Sequence, residues 1–276
     1  MELFSSWTGS DFLLFYLMLL GFASVAAWWI PANLRDPGRR GAADDLESVA
    51  VLAGGAPRLT DSLLAELYVQ GALTQGDKGK LQIAGSAAGA SPAGKALLAI
   101  DAPVTLADAR KVLAVHADRA AARLQRAGLL MRPEAHARLR WLSITPFAAL
   151  FLLGLYRERA GDAVGEPTGF LIILLVLTVV LAIIRFAKSD PRTAAGIAAV
   201  SELRRRNGRF SRAPRPDEAA MAVALFGSGV LVGTPWEPVH AMRQRESDSG
   251  GGADGSSDSG SGDGGCGGGG CGGCGG

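Results

Sequence analysis

The first 265 residues contain no cysteine. No disulfide therefore staples the folded part of the chain, and no thiolate metal site or cysteine nucleophile lies within it. Histidine is almost as scarce. His116, His136 and His240 are scattered, and none stands at ligand spacing from a cysteine or a carboxylate. The sequence holds no nucleophile elbow, no H-E-x-x-H and no paired-acid constellation. A net charge of +2 over 276 residues supplies no global field for nucleic acid. Lysine and arginine are missing before Arg35. The first hydrophobic segment thus lacks the basic flank of a cleaved signal peptide and reads as an uncleaved anchor.

What the chain has in excess is apolar sequence, 48% of all residues, gathered in a few runs. The first, "FLLFYLMLLGFASVAAWWI" (Phe12 to Ile30), is uncharged, long enough to cross a hydrocarbon core of ~30 Å, and ends in Trp28 and Trp29 at the expected interfacial depth. The second, "WLSITPFAALFLLGLY" (Trp141 to Tyr156), is shorter and contains Pro146, with Arg138, Arg140, Arg157 and Arg159 placed to snorkel at its ends. The third, "GFLIILLVLTVVLAIIRFA" (Gly169 to Ala187), carries only Arg185, near its end, and one other polar residue, Thr178, for which helix packing suffices. A fourth, "MAVALFGSGVLVG" (Met221 to Gly233), is too short to span and reads as an interfacial or packed helix. Basic residues follow span one, precede span two and follow span three, culminating in Arg204, Arg205 and Arg206. The positive-inside rule then puts the N-terminus outside and the C-terminus in the cytoplasm.

These runs partition the chain. Residues 1–10 are an extracytoplasmic N-terminus, 11–30 the first transmembrane helix and 31–43 a linker. Residues 44–140 form a cytoplasmic domain, 141–156 the second transmembrane helix, 157–168 an external loop and 169–187 the third transmembrane helix. A cytoplasmic helical region, 188–246, precedes a tail, 247–276. Within 44–140, "DDLESVAVLAGG" has helical spacing and stops at Gly54-Gly55. "TDSLLAELYVQGAL" begins at Thr60 or Asp61 as an N-cap and ends at Gly71, before a "GDKG" turn and the short strand "KLQIA". The order recurs with one inserted residue: Leu67, Gly71, Leu73 and Leu81 align with Leu124, Gly128, Leu130 and Leu139, and "MRPEAHARLRW" takes the place of a second hairpin. Helix, glycine stop, apolar pair and hairpin, twice over, resemble tandem winged-helix units. Arg119, Arg123 and Arg126 share a helix face, which a domain tethered at both ends to a membrane uses beside anionic headgroups rather than to read DNA.

Two stretches point toward chemistry. "GASPAGKA" (Gly89 to Ala96) approaches the phosphate-cradling G-x-x-x-x-G-K-[ST] pattern, but Ala96 has no hydroxyl for Mg²⁺ and no strand runs into it. The tail "GDGGCGGGGCGGCGG" places Cys266, Cys271 and Cys274 in nearly pure glycine. Such a segment buries too little apolar area to offset its ordering entropy and is expected to be disordered, with cytosolic, reduced thiols. The C-x-x-C pair plus a third thiol suits a soft cation, Zn²⁺ or Cu(I), without a fourth ligand. The Cys/Ser/Gly composition also suits an enzyme that matures peptides by forming azole rings.

"DFLLFYLMLL", "VLAGGAPRLTDSLLAEL", "QGALT", "RAGLL", "PTGFLIILLVLTVVLAIIRF", "AMAVALFG" and the tail together resemble a family of bacterial multi-span membrane proteins with glycine/cysteine-rich C-terminal tails. The resemblance runs over nearly the whole chain. It implies the architecture and a membrane location, and its motifs carry no catalytic residue. The sequence therefore predicts a mainly α protein: three transmembrane helices, a cytoplasmic α+β tandem winged-helix-like domain and a disordered Gly-rich tail. The function it predicts is a membrane-anchored interaction or scaffold protein, integral to the cytoplasmic membrane, whose partners are the lipid bilayer and another protein rather than nucleic acid. Tail modification or soft-metal binding at Cys266, Cys271 and Cys274 is one alternative, and a nucleotide-dependent enzyme resting on Gly89 to Ala96 is another.

Overall fold

The computed structural model describes residues 9–249, apart from 40, 77–79, 88, 101–102 and 163–168. The chain is mainly helical and builds a three-helix bundle and a helical domain around two separate apolar cores.

The bundle comprises α1 (Gly9–Leu34), α5 (Pro133–Asp162) and α6 (Gly169–Ala187). All three are long and apolar enough to cross a membrane. On α1, Phe12, Tyr16, Leu20, Ala23 and Ala27 recur at helical spacing and form the buried stripe. Tyr16 is fully enclosed, and its hydroxyl lies 3.0 Å from Thr178 Oγ1 on α6. Thr178 spends its own proton on Leu174 O, at 2.8 Å, so Tyr16 is the donor. Gly154 of α5 makes this closeness possible. A Cβ there would stand 2.8 Å from both Tyr16 Cε2 and Leu175 Cδ2. Pro31 lacks the N–H that would close the last turn of α1 onto Ala27 O. Arg185 Nε takes that carbonyl instead, at 2.9 Å, which ties the ends of α1 and α6 together. The opposite faces stay bare: Leu14, Met18 and Phe22 on α1, and Phe170, Ile173 and Val176 on α6, are exposed.

The domain is organised on α2 (Leu46–Val69). Around it stand β1 (Leu73–Gln75), β2 (Leu81–Ile83), α3 (Pro92–Leu98), α4 (Leu106–Arg126), α7 (Ala194–Arg206), α8 (Ala219–Phe226) and α9 (Glu237–Ser249). Gly54 and Gly55 do interrupt the helix, with Gly55 at φ +72°, but the helix resumes before Pro57 and encloses Thr60 and Asp61. Neither is the N-cap expected from sequence. Thr60 Oγ1 bonds Ala56 O, and Asp61 is buried in the domain core. The short apolar run after Met221 is α8, with Ala222, Val223, Ala224 and Leu225 all fully buried against α2 and its neighbours. Burial all round, not a membrane, explains its uniformly apolar sequence.

The internal repeat is real up to a point. Gly71 and Gly128 both adopt positive φ, +75° and +77°, and each helix closes with the same pair of bonds. Ala72 N donates to Leu67 O and Leu129 N to Leu124 O, both at 2.9 Å; Gly71 N donates to Tyr68 O and Gly128 N to Gln125 O, both at 3.1 Å. The first copy continues into the antiparallel pair β1–β2, in the register Leu73 to Ile83. The second does not form the expected hairpin. Residues from Pro133 enter α5, because proline suits the first helical position and Glu134 to Leu139 offer helix formers with no turn signal.

Three linkers knit the domain to the bundle. Arg39 N donates to Gly128 O (3.2 Å), Met131 N to Pro191 O (2.9 Å), Thr193 N to Leu129 O (3.1 Å), Ala194 N to Asp36 O and Ala195 N to Pro37 O (both 3.0 Å). Asp190 pairs with Arg192 in a fork, 2.9–3.1 Å, and with Arg35 at 3.5 Å; Arg35 Nη1 also bonds Arg192 O at 2.6 Å. Burial would raise the Asp190 carboxyl, but the bonds from Arg192 and the charge of Arg35 outweigh it and hold the group below its ordinary value.

Candidate functional site

A cleft of about 630 Å³ opens between the start of α2, the face of α4 and the first turn of α3. Its acidic side is built by α2. Asp45 is the N-cap and accepts from Ser48 N at 3.1 Å, which leaves Glu47 in the first turn. Glu66, five turns further along, lies half-buried on the same side. The basic side is α4, where His116, Arg119, Arg123 and Arg126 recur at helical spacing. Arg123 Nη2 reaches both Asp45 Oδ2, at 3.4 Å, and Glu47 Oε2, at 3.3 Å. Ser91 closes the cleft on its third side and caps α3 through a 3.1 Å bond from Gly94 N.

The charge balance here is uneven. Arg123 answers two carboxylates, whereas the side chains of Glu66 and Arg119 have no hydrogen-bonding or ionic partner among the described residues. Burial, and then the neighbouring Glu47, push the Glu66 carboxyl above its ordinary range. The cleft therefore offers a poised acid and a free cation within one cavity, a pattern that suits a guest carrying both signs of charge. An acid whose folded pKa is raised contributes most below its unfolded value, 4.5, and that contribution is lost as pH rises through the folded value. Glu66→Gln is accordingly expected to raise stability at neutral pH, by under about 1 kcal/mol for a half-exposed group, and to flatten the fall in melting temperature between pH 4 and pH 7. Thermal melts of both proteins across that range check it.

The residues singled out from sequence fare differently. Arg119, Arg123 and Arg126 do share a face, and Arg123, though exposed, pairs with two carboxylates at the start of α2. Gly89 to Ala96 folds as a positive-φ glycine followed by a Ser-Pro helix start; β2 ends at Ile83 and no strand feeds it. Its serine and proline are explained by capping. His136 is on α5, bonded to Ser189 Oγ at 2.8 Å, and His240 is on α9, bonded to Ser228 Oγ at 3.0 Å. Cys266, Cys271 and Cys274 lie outside the described residues. Among the described residues no group of three His, Cys, Asp or Glu is placed to hold a metal. Glu66 carried no sequence signal, since its interest comes from a helix 50 residues further on. A second cavity, about 800 Å³, lies at the domain–bundle junction between Arg39, Arg126, Arg132, Asp36 and Glu134. Comparison of the chain with family models, with characterised proteins and with solved structures gives no match.

Proposed function

We propose that this is a membrane-anchored interaction protein. In this reading α1, the apolar part of α5 and α6 span the cytoplasmic membrane, the N-terminus is outside, and the domain and tail are cytoplasmic. The bare apolar faces of the three helices and the clustering of arginine at the domain end of the bundle support it. The first helix–hairpin unit, α2 with β1 and β2, supports a winged-helix-like ancestry for that part of the domain. The observation that carries the interaction reading is the cleft, whose unpaired Glu66 and Arg119 sit in a domain bonded to its anchor through three linkers.

The tail cysteines give a direct test of topology, because the chain has no other thiol. A membrane-impermeant maleimide is expected to leave intact cells unlabelled and to label the chain after lysis. Labelling before lysis would reverse the orientation. For the cleft, a photo-crosslinking residue at Ala122 is expected to capture a discrete partner, with loss of the product on Glu66→Lys. The same residue at Val115, exposed and outside the cleft lining, is the control. Capture at Val115 and not at Ala122 would move the site elsewhere.

A second reading rests on Cys266, Cys271 and Cys274, as targets of modification or soft-metal ligands. Intact mass of the native protein decides it: a loss of about one water per modified residue indicates heterocycles, and retained Zn or Cu indicates a metal tail.

A further inference from the structure

A groove of about 350 Å³ runs between α5 and α6, walled by Ile144, Phe147 and Phe151 on one side and Val179, Ala182 and Ile183 on the other. We propose that it holds an acyl chain of an anionic phospholipid whose phosphate is received by Arg140. The inference rests on the membrane-spanning reading of these two helices. The wall offers nothing to a polar guest. Thr178 is its one polar residue, and that hydroxyl is taken by Tyr16 and by Leu174 O. From Ile144 to Phe151 the groove follows α5 for about 10 Å, the scale of a lipid tail segment.

Arg140 stands at the end where the apolar run of α5 begins. Its guanidinium lies over the Phe186 ring, 3.8 Å from the centroid, and Trp141 meets the same ring edge-on at 5.7 Å. That stacking holds the cation against Phe186, which with Trp141 lines the groove at this end. Its Nε is buried without a hydrogen-bond partner, and among the described residues no carboxylate pairs with the group. A buried guanidinium N–H calls for an acceptor, best an anionic one. His136, one turn earlier on α5, shares a hydrogen bond with Ser189, and Arg132 and Arg138 outnumber Glu134 along the same segment. An apolar helix from a second copy would cover the groove but bring no anion to the Arg140 guanidinium. A phospholipid offers an acyl chain to the groove and a phosphate to the guanidinium, and the surplus of arginine favours a headgroup without its own cation.

The test uses the full chain reconstituted into vesicles of equal phosphatidylglycerol and phosphatidylcholine, re-extracted in mild detergent and weighed by native mass spectrometry. One phosphatidylglycerol per chain is expected to be retained in preference to phosphatidylcholine. Arg140→Gln should lower that retention about fivefold, the worth of one arginine at a membrane surface, and Arg140→Lys should restore part of it. Ala182→Phe, which fills the groove and leaves the charge alone, should abolish it. Arg138→Gln should change it little. Excess inorganic phosphate should not displace the lipid; full displacement would show that the site takes free phosphate and overturn the lipid assignment. A reconstituted chain that retains both lipids equally, or is indifferent to both Arg140→Gln and Ala182→Phe, overturns this inference alone. A chain stripped from vesicles by alkaline carbonate overturns the membrane reading and this inference with it.

Discussion

Replacing Asp61 by alanine is expected to cost about 3–5 kcal/mol of stability, the penalty for stranding the cations of a buried pair. Asp61 is only 3% exposed, and it is bonded directly to Arg243 of α9. Arg58, 4% exposed, lies one turn earlier on α2 and donates to Val223 O of α8 at 3.1 Å. The three side chains therefore join α2, α8 and α9 across the centre of the domain. Removing the carboxylate takes from the buried Arg58 and the partly exposed Arg243 the charge that both face. Asp61→Asn keeps an acceptor for Arg243 and should cost less. Burial, against the pull of Arg243, Arg58 and Arg110, leaves the Asp61 carboxyl above its ordinary value. The contribution of its protonation is then complete below the unfolded value of 3.8 and declines as pH rises through the folded value. Asp61→Asn lacks that decline. Thermal melts of the wild type and both variants between pH 3 and pH 7 measure each effect. A loss under about 1 kcal/mol for Asp61→Ala would mean that water reaches the pair.

Gly196→Ala is the second large effect, and its sign runs against propensity. Alanine in a helix is worth up to about 1 kcal/mol over glycine, and Gly196 lies in the first turn of α7. Yet an added Cβ would collide with the carbonyl oxygen of Leu129, a backbone atom that cannot swing aside, and would press Leu52 Cδ1 at 3.3 Å. The same oxygen accepts from Thr193 N at 3.1 Å and from Thr193 Oγ1 at 3.0 Å, and Gly196 N donates back to Thr193 Oγ1 at 3.1 Å. Shifting α7 outward shears all of these bonds. A net loss of about 1–3 kcal/mol is expected, the usual cost of overpacking a filled site. Gly229→Ala, where nothing lies within 4 Å, is the matched control and should leave the melt unchanged. Equal melts for Gly196→Ala and the wild type would show that α7 is free to move away from Leu129.

Local chemistry explains which parts of this fold could be read in advance. The glycine stops at Gly71 and Gly128 depend only on nearby residues, and both hold. The three long apolar helices follow from run length alone. Readings failed where a local signal met a distant partner. Thr60 and Asp61 look like a helix start, but the chain re-enters the helix before Pro57 and sends Asp61 to an arginine 182 residues away. "MRPEAHARLRW" aligns with a hairpin, but helix formers joined to an apolar run extend α5 backward instead. Pro31, assigned from sequence to the linker, lies inside α1 and frees Ala27 O for Arg185. The cleft was half visible. Its arginine face shows in the spacing of α4, while its acids come from α2 by tertiary packing that no motif announces.

From Pro133 to Asp162, α5 is a single helix of about 45 Å that begins at the domain and ends at the far side of the bundle. It acts as a shaft. Its first turn is held by the junction bonds around Met131 and Pro191, and its midsection forms one wall of the groove against α6. The corner at Gly128 to Met131 and one wall of the groove thus lie along one continuous helix and its N-terminal junction. Within that midsection Pro146 lacks the N–H that would bond back one turn, so the hydrogen-bond ladder misses one rung there. If occupants of the cleft and of the groove are coupled through this helix, linkage makes the effect equal in both directions.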